Sequence, residues 1–226
     1  LTGPAGSGKS TTLAAILRYI MEATPGRSVI ALEDPVERHI EGVTQVQIPP
    51  KGELTFAAAL RSLVRQDPEV IMIGEIRDAE TAKIAIEAGL TGHLVLSTMH
   101  SGHPAGTLLR LLEMGIEPYQ VTSSLAAIVN QRLIRRTCPL CQQNIADRAS
   151  EPEGCDACLH TGYAGRIVLA EMVQVDSALR QALLRQPEIE TLEDIFSKQG
   201  HRGLQSYAQE LISQGKTSHS EIIRVC

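Results

Sequence analysis

Tryptophan is absent, and aromatic residues make up only 3% of this 226-residue chain. Any core must therefore be built from Leu, Ile, Val and Ala, and the 43% hydrophobic fraction supplies them in the amount usual for a globular protein. Long apolar runs are also missing: none approaches the ~18 residues that mark a membrane span. Lys/Arg runs never exceed two residues and the net charge is −5. That argues against a generic nucleic-acid binder, which carries a basic stripe. Cysteine is sparse as well. Five residues cannot frame a disulfide scaffold at this size, and four of them fall in CxxC pairs, which favours a metal and a reducing compartment. The Gly-rich opening, with its first cation Lys9 inside a loop motif, does not read as a signal peptide.

What is present begins at once. GPAGSGKS (3–10) fits G-x-x-x-x-G-K-[ST]. Glycines in such a loop let backbone N–H groups turn toward phosphate oxygens, and the following helix points its positive dipole end at them. Gly3, Gly6, Ser7, Gly8, Lys9, Ser10 and Thr11 are the candidate nucleotide-binding residues. Lys9 is placed to reach the β- and γ-phosphates, and the Ser10 hydroxyl to help hold Mg²⁺. The alternative is a Gly-rich turn that matches by chance, which the helical pattern directly after the loop disfavours.

Periodicity predicts a helix over 10–23, strands over 28–33 and 44–48, and a helix over 55–66 that stops at Asp67-Pro68. A strand at 70–74, a helix at 79–89 capped by Gly89 and a strand at 93–98 follow, then helical segments to about Leu133. Strands alternating with helices imply a mostly parallel α/β sheet with right-handed crossovers. Composition changes at Thr137, where a turn-rich, cysteine-bearing stretch begins; short helices are expected from about Gly165 to the end. The expected division is thus an α/β core over 1–136, a tetracysteine element over 137–165 and a helical subdomain over 166–226.

Ligands of α/β sheets gather at the carboxyl ends of the strands. Three predicted strands end in polar residues there: Glu33-Asp34-Pro35, Glu75, and Met99-His100. Phosphoryl transfer to water needs a metal, a group that orients the water and a sensor of the γ-phosphate. Two carboxylates and a histidine can fill those roles, although Glu33-Asp34-Pro35 taken alone reads as a turn.

These segments carry a resemblance. GPAGSGKST, IALEDPVE, IMIGEIRD and TGHLVLSTMH resemble, in order, the P-loop, Asp box, Walker B segment and His box of the type II secretion and type IV pilus assembly ATPases. QVQIPPKGELTFAAALRSLVRQDP and MGIEPYQVTSSLAAIVNQRL are also close to that family, so the likeness covers nearly the whole chain. It implies a RecA-like P-loop core, with Glu33 activating water and Glu75 acting on Mg²⁺ through water. Gly74 stands where many P-loop proteins carry an aspartate. His100 is then the γ-phosphate sensor and His93 orders the same region, or else His93 is a satisfied residue at a strand start. Arg61, Arg65 and Arg77 match family arginines that stabilise charge at a subunit boundary. Arg61 and Arg65 share a helix face at i and i+4, where a surface pair bonded to Asp67 or Glu69 is the alternative.

Cys138, Cys141, Cys155 and Cys158 form two CxxC knuckles, a spacing that places four thiolates around a structural Zn²⁺. A redox pair or free thiols are the alternatives, the first disfavoured because neither CxxC opens a helix in a thioredoxin-like unit. By the resemblance this is the zinc element of the extension and secretion branch, with a linker shorter than is usual in that family, which leaves open what it docks against. The resemblance further implies ATP as substrate, a homo-hexamer, and a cytoplasmic location at the inner membrane. The contact there is the cytoplasmic domain of a platform protein, with no membrane insertion and no nucleic acid. It also implies an upstream strand and N-terminal domain, so the chain is expected to be a fragment. A conjugative DNA-transfer ATPase and a non-hydrolysing, nucleotide-dependent scaffold are the competing readings.

Overall fold

The computed structural model describes residues 1–49, 54–144, 151–185 and 188–226. Part of the linker between the cysteine pairs lies outside these residues. Its centre is a parallel sheet of β1 (Val29–Glu33), β2 (Thr44–Gln47), β3 (Val70–Ile73) and β4 (Leu94–Ser97), ordered β2-β1-β3-β4. β1 and β3 are the inner strands. Their runs VIALE and VIMI are apolar without alternation because both faces are covered.

Side chains of successive residues point to opposite faces, and the packing follows that period. Val29, Ala31, Val70 and Met72 pack with Leu13 and Leu17 of α1 (Lys9–Ala23). Leu32, Ile71 and Ile73 pack on the other face with α2 (Phe56–Leu63), α3 (Ala79–Leu90), α4 (Pro104–Glu113) and α5 (Pro118–Ser124). Caps fix where these helices start. Thr55 accepts from Ala58 N at 3.1 Å, and Asp78 from Thr81 N at 2.8 Å. Leu1 and Thr2 lie against the far edge of β4: the Leu1 amino group donates to Ser97 O, and Thr2 bridges both Met99 and Asn130 in parallel.

The predicted elements from residue 10 to 98 stand within a residue or two of their expected bounds, except that α2 ends at Leu63 and continues as a 3-10 turn over Val64–Gln66. Two readings are corrected. Gly89 does not cap α3 but lies inside it, where an added Cβ would meet the Ser124 Cβ at 3.2 Å. Its lack of a side chain lets α3 and α5 approach, and Gly92, with φ 101°, makes the turn into β4. The second correction concerns residues 127–137 and 163–174, which were expected to be helical or irregular. They form β5 (Ala127–Thr137) and β6 (Tyr163–Gln174), a long antiparallel ribbon with Asn130 opposite Glu171. The ribbon joins residues on either side of positions 136 and 165.

A small α6 (Pro139–Asn144) sits in the cysteine-bearing stretch between the two ribbon strands. α7 (Ser177–Leu183), α8 (Ile189–Lys198), α9 (Leu204–Ser213) and α10 (His219–Val225) complete the chain. α10 is tied to β5 by Glu221, whose side chain is fully buried. Its carboxylate accepts from Arg135 N at 2.8 Å, Arg135 Nε at 2.7 Å and the Arg224 guanidinium. Burial works against the ionised form, but these donors outweigh it and bring the Glu221 pKa down to about 2. A depressed folded value means that the stabilisation is complete above the ordinary carboxylate value and disappears as pH falls from there through about 2. Glu221→Ala is therefore expected to cost about 2 kcal/mol at neutral pH by leaving Arg135 N unpaired. The gap from the parent chain should close in acid, as denaturant titrations at several pH values will report.

Candidate functional site

The P-loop turns between Thr2 and α1. Gly3, Gly6 and Gly8 have positive φ, and a Cβ on Gly3 would come within 2.4 Å of Gln131 O and 2.7 Å of Ser7 Oγ. The loop therefore closes too tightly for any side chain at that point. Lys9 folds back into it, with Nζ donating to the carbonyls of Gly3 and Pro4 at 2.9 Å each. Burial lowers the Lys9 pKa, with Arg132 adding to that effect and the charge of Glu75 opposing it. Ser7 Oγ is buried and has no hydrogen-bond partner among the described residues. An orphaned buried hydroxyl beside inward-turned glycines is a cradle suited to phosphate oxygens.

The carboxyl ends of β1 and β3 complete one cavity with the loop's helix. It measures about 150 Å³, and its lining includes Ser10, Thr11, Glu33, Asp34, Gly74 and Glu75. Glu33 Oε1 accepts from Gln45 Nε2 at 2.7 Å, so a neutral amide on the neighbouring strand holds its carboxylate. Glu75 bonds to the Arg77 guanidinium, and His100 Nε2 lies 3.7 Å from its other oxygen. Arg77 holds the Glu75 pKa below the carboxylate range against the opposing effect of burial, with His100 and Lys9 helping. Arg77 also reaches toward Asp34 at 3.8 Å. Gly74 approaches the adjacent strand so closely that a Cβ would stand 3.1 Å from Leu32 O.

Three sequence-predicted residues stand apart from this group. Arg61 is exposed and pairs with Glu80 on α3 at 2.5 Å, while Arg65 lies exposed on the 3-10 turn after α2. The alternative partners Asp67 and Glu69 do not take Arg61, and Glu69 is held by Arg27 instead. His93 sits before the amino end of β4, at the opposite end of that strand from His100. Its Nδ1 meets Ala88 O at 3.0 Å and Thr91 Oγ1 at 3.1 Å, which occupies that ring nitrogen at the end of α3.

Residues the sequence reading passed over hold the site from β5. The buried Gln131 donates to Ser7 O at 2.7 Å and so pins the P-loop. Asn130 and Arg132 both donate to Gly102 O, at 3.2 and 2.5 Å, and fix the loop after His100. A run of polar residues inside an otherwise apolar stretch, NQR in AIVNQRLI, was the available signal.

Cys138, Cys141, Cys155 and Cys158 converge with every sulfur within 4.8 Å of the others. Observed Sγ separations of 3.7 to 3.9 Å match the edge of a tetrahedron with metal–sulfur bonds of ~2.3 Å, which gives ~3.8 Å. All four are free thiols. Burial opposes ionisation of Cys158, but amide donors from Cys155 and Gly162 bring it down to about 6. The knuckles dock beside the start of α10: Thr137 N donates to Lys216 O, Cys138 N to Gly162 O, and Tyr163 Oη bonds Ser218 Oγ.

A phosphate-cradling loop facing acidic strand ends in a RecA-like parallel sheet defines a P-loop α/β protein. The chain belongs to the Type II/IV secretion system protein family, whose sequence pattern matches residues 1–224. It is 43% identical over its whole length to the putative type II secretion system protein E of Escherichia coli K12, of which it spans 48%. It is 41% identical over 99% of its length to the type IV pilus assembly ATPase PilB of Thermus thermophilus, spanning 27% of that protein. The chain thus spans about half or less of these curated relatives. Among solved structures, the Legionella pneumophila ATPase DotB matches 99% of the chain and 58% of its own at TM-score 0.76 and 28% identity. The pilus retraction motor PilT with bound ADP matches 99% and 59% at the same TM-score and 26% identity.

Proposed function

We propose that this chain is the ATP-hydrolysing part of a motor subunit that powers type II protein secretion or type IV pilus assembly at the inner membrane. The observation that carries the reading is the meeting of Ser10, Glu33 and Glu75 in one cavity beside a P-loop whose buried Ser7 hydroxyl lacks a partner among the described residues. Relatives named as secretion and pilus assembly ATPases support it.

In this reading the P-loop amides and Lys9 bind the β- and γ-phosphates, and Ser10 and Glu75 hold Mg²⁺, Glu75 through water. Mg²⁺ supplies neutralisation of the charge that develops on the phosphates. Glu33 orients and deprotonates the attacking water, and His100 contacts the γ-phosphate. Arg77 keeps Glu75 ionised and fixes its direction. The exposed Arg61 and Arg65 serve a neighbouring subunit in a homo-hexamer, and His93 has no part in this site. The four cysteines would hold a structural Zn²⁺ through their thiolates. The working division is an ATPase core over 1–136, the zinc element over 137–165 and a C-terminal subdomain over 166–226. The motor works in the cytoplasm and meets the membrane through a platform protein; no helix of the described residues is long and apolar enough to cross a membrane itself.

Equilibrium binding of Mg-ATP tests the first step. Lys9→Ala removes the one ammonium inside the loop and is expected to weaken binding about a hundredfold. Unchanged affinity in that variant would remove the P-loop from the account.

A further inference from the structure

The loop that carries His100 is held by its carbonyls. His100 O accepts from Arg110 at 3.1 Å, Ser101 O from Thr2 at 3.2 Å, and Gly102 O from Asn130 and Arg132. Asn130 is fully buried, and its amide is committed on every side. Its Nδ2 also donates to Glu171 Oε1 at 2.6 Å, and its Oδ1 accepts from Arg132 at 2.9 Å. Glu171 stands directly opposite Asn130 on β6 and is itself buried. Its second oxygen meets His201 Nε2 at 3.1 Å and accepts from Leu204 N at 3.2 Å, where α8 passes into α9.

A buried carboxylate is costly unless every lone pair finds a donor, and a carboxylate so satisfied is rigid. Glu171 therefore bonds at once to Asn130, which holds the loop after His100, and to the turn between the C-terminal helices. We infer that Glu171 is a positioning residue for the nucleotide site, which sets the orientation of Asn130 and through it the His100 loop, and ties that loop to the C-terminal helices. The inference rests on the reading of His100 as the group that contacts the γ-phosphate. Ring position at His100 then depends on a residue far along the sequence, on the opposite strand of the ribbon.

The readout is the preference of the chain for a non-hydrolysable ATP analogue over ADP, since the two ligands differ by the phosphate His100 would contact. Glu171→Leu and Asn130→Ala are each expected to reduce the analogue's affinity about tenfold with ADP affinity unchanged. Glu171→Gln keeps an acceptor for Asn130 and is expected to retain most of the preference. Loss of preference in the first two variants with rescue in the third supports the inference. Preference kept in Glu171→Leu, while His100→Ala loses it, overturns the inference and leaves the site reading intact. Equal loss of both ligands overturns it too, because Glu171 then serves the fold as a whole. Preference kept in His100→Ala rejects the site reading itself, and this inference with it.

Discussion

Glu33→Gln is expected to reduce ATP turnover about 10³-fold while leaving nucleotide affinity close to that of the parent chain. The cavity contains carboxylates in two different settings. Glu75 is bonded to Arg77 and feels Lys9 and His100, so its pKa is held down and it makes a poor base. Glu33 accepts from the neutral amide of Gln45 and faces the same space as Ser10. The proposed reading gives the water to Glu33, whose carboxylate is held by a neutral amide, and the metal side to Glu75, which Arg77 holds. Glutamine preserves the size of the side chain and an oxygen for Gln45 to bond, so the strand end should keep its shape. Turnover and equilibrium binding measured on the same preparation separate the two effects. A variant that hydrolyses ATP normally would move the base elsewhere.

Removal of the proposed zinc should have the second largest effect. Elemental analysis is expected to give one zinc per chain, and a strong chelator to lower the melting temperature by about 10 °C. The four sulfurs form a cluster of their own, apart from the main cores. Yet the knuckles are bonded to the C-terminal part of the chain. Thr137 N donates to Lys216 O, Ser220 N to Glu151 Oε1 at 3.0 Å, and the Arg135 guanidinium lies 4.1 Å from the Tyr163 ring centroid. When the thiolates lose their common partner, the start of α10 should loosen with them. Cys141→Ser is expected to reproduce the chelator's effect, and a chain that purifies without zinc and melts unchanged by chelator would make these thiols ordinary buried cysteines.

Much of this architecture could be read in the sequence because its determinants are local. The P-loop glycines, the apolar runs at 29–32 and 70–73, and the polar residues that end them each declare themselves within a few positions. The ribbon did not. In AIVNQRLIRRT the buried Asn130 and Gln131 interrupt the apolar pattern. They are tolerated there because the P-loop, Gly102 and Glu171 satisfy them, and those partners lie far away in sequence. The same holds for β6, whose pairing residues lie beyond the cysteine element. Gly89 misled for a related reason: near the end of a helical pattern a glycine reads as a cap, and only the approach of Ser124 shows that it makes room for another helix. The sequence left His93 open between ordering the nucleotide region and being satisfied at a strand start; it stands beside Ala88 O, at the other end of β4 from His100.

Arg61 and Arg65 are exposed on the chain and stand outside the cluster around Glu75, and the proposed reading has them serve a neighbouring subunit. The most direct test is ATP turnover per subunit measured against protein concentration. The account predicts a rate that climbs with concentration as subunits assemble, and that falls when Arg61 and Arg65 are replaced together. A rate independent of concentration would contradict it, and would describe a self-contained nucleotidase.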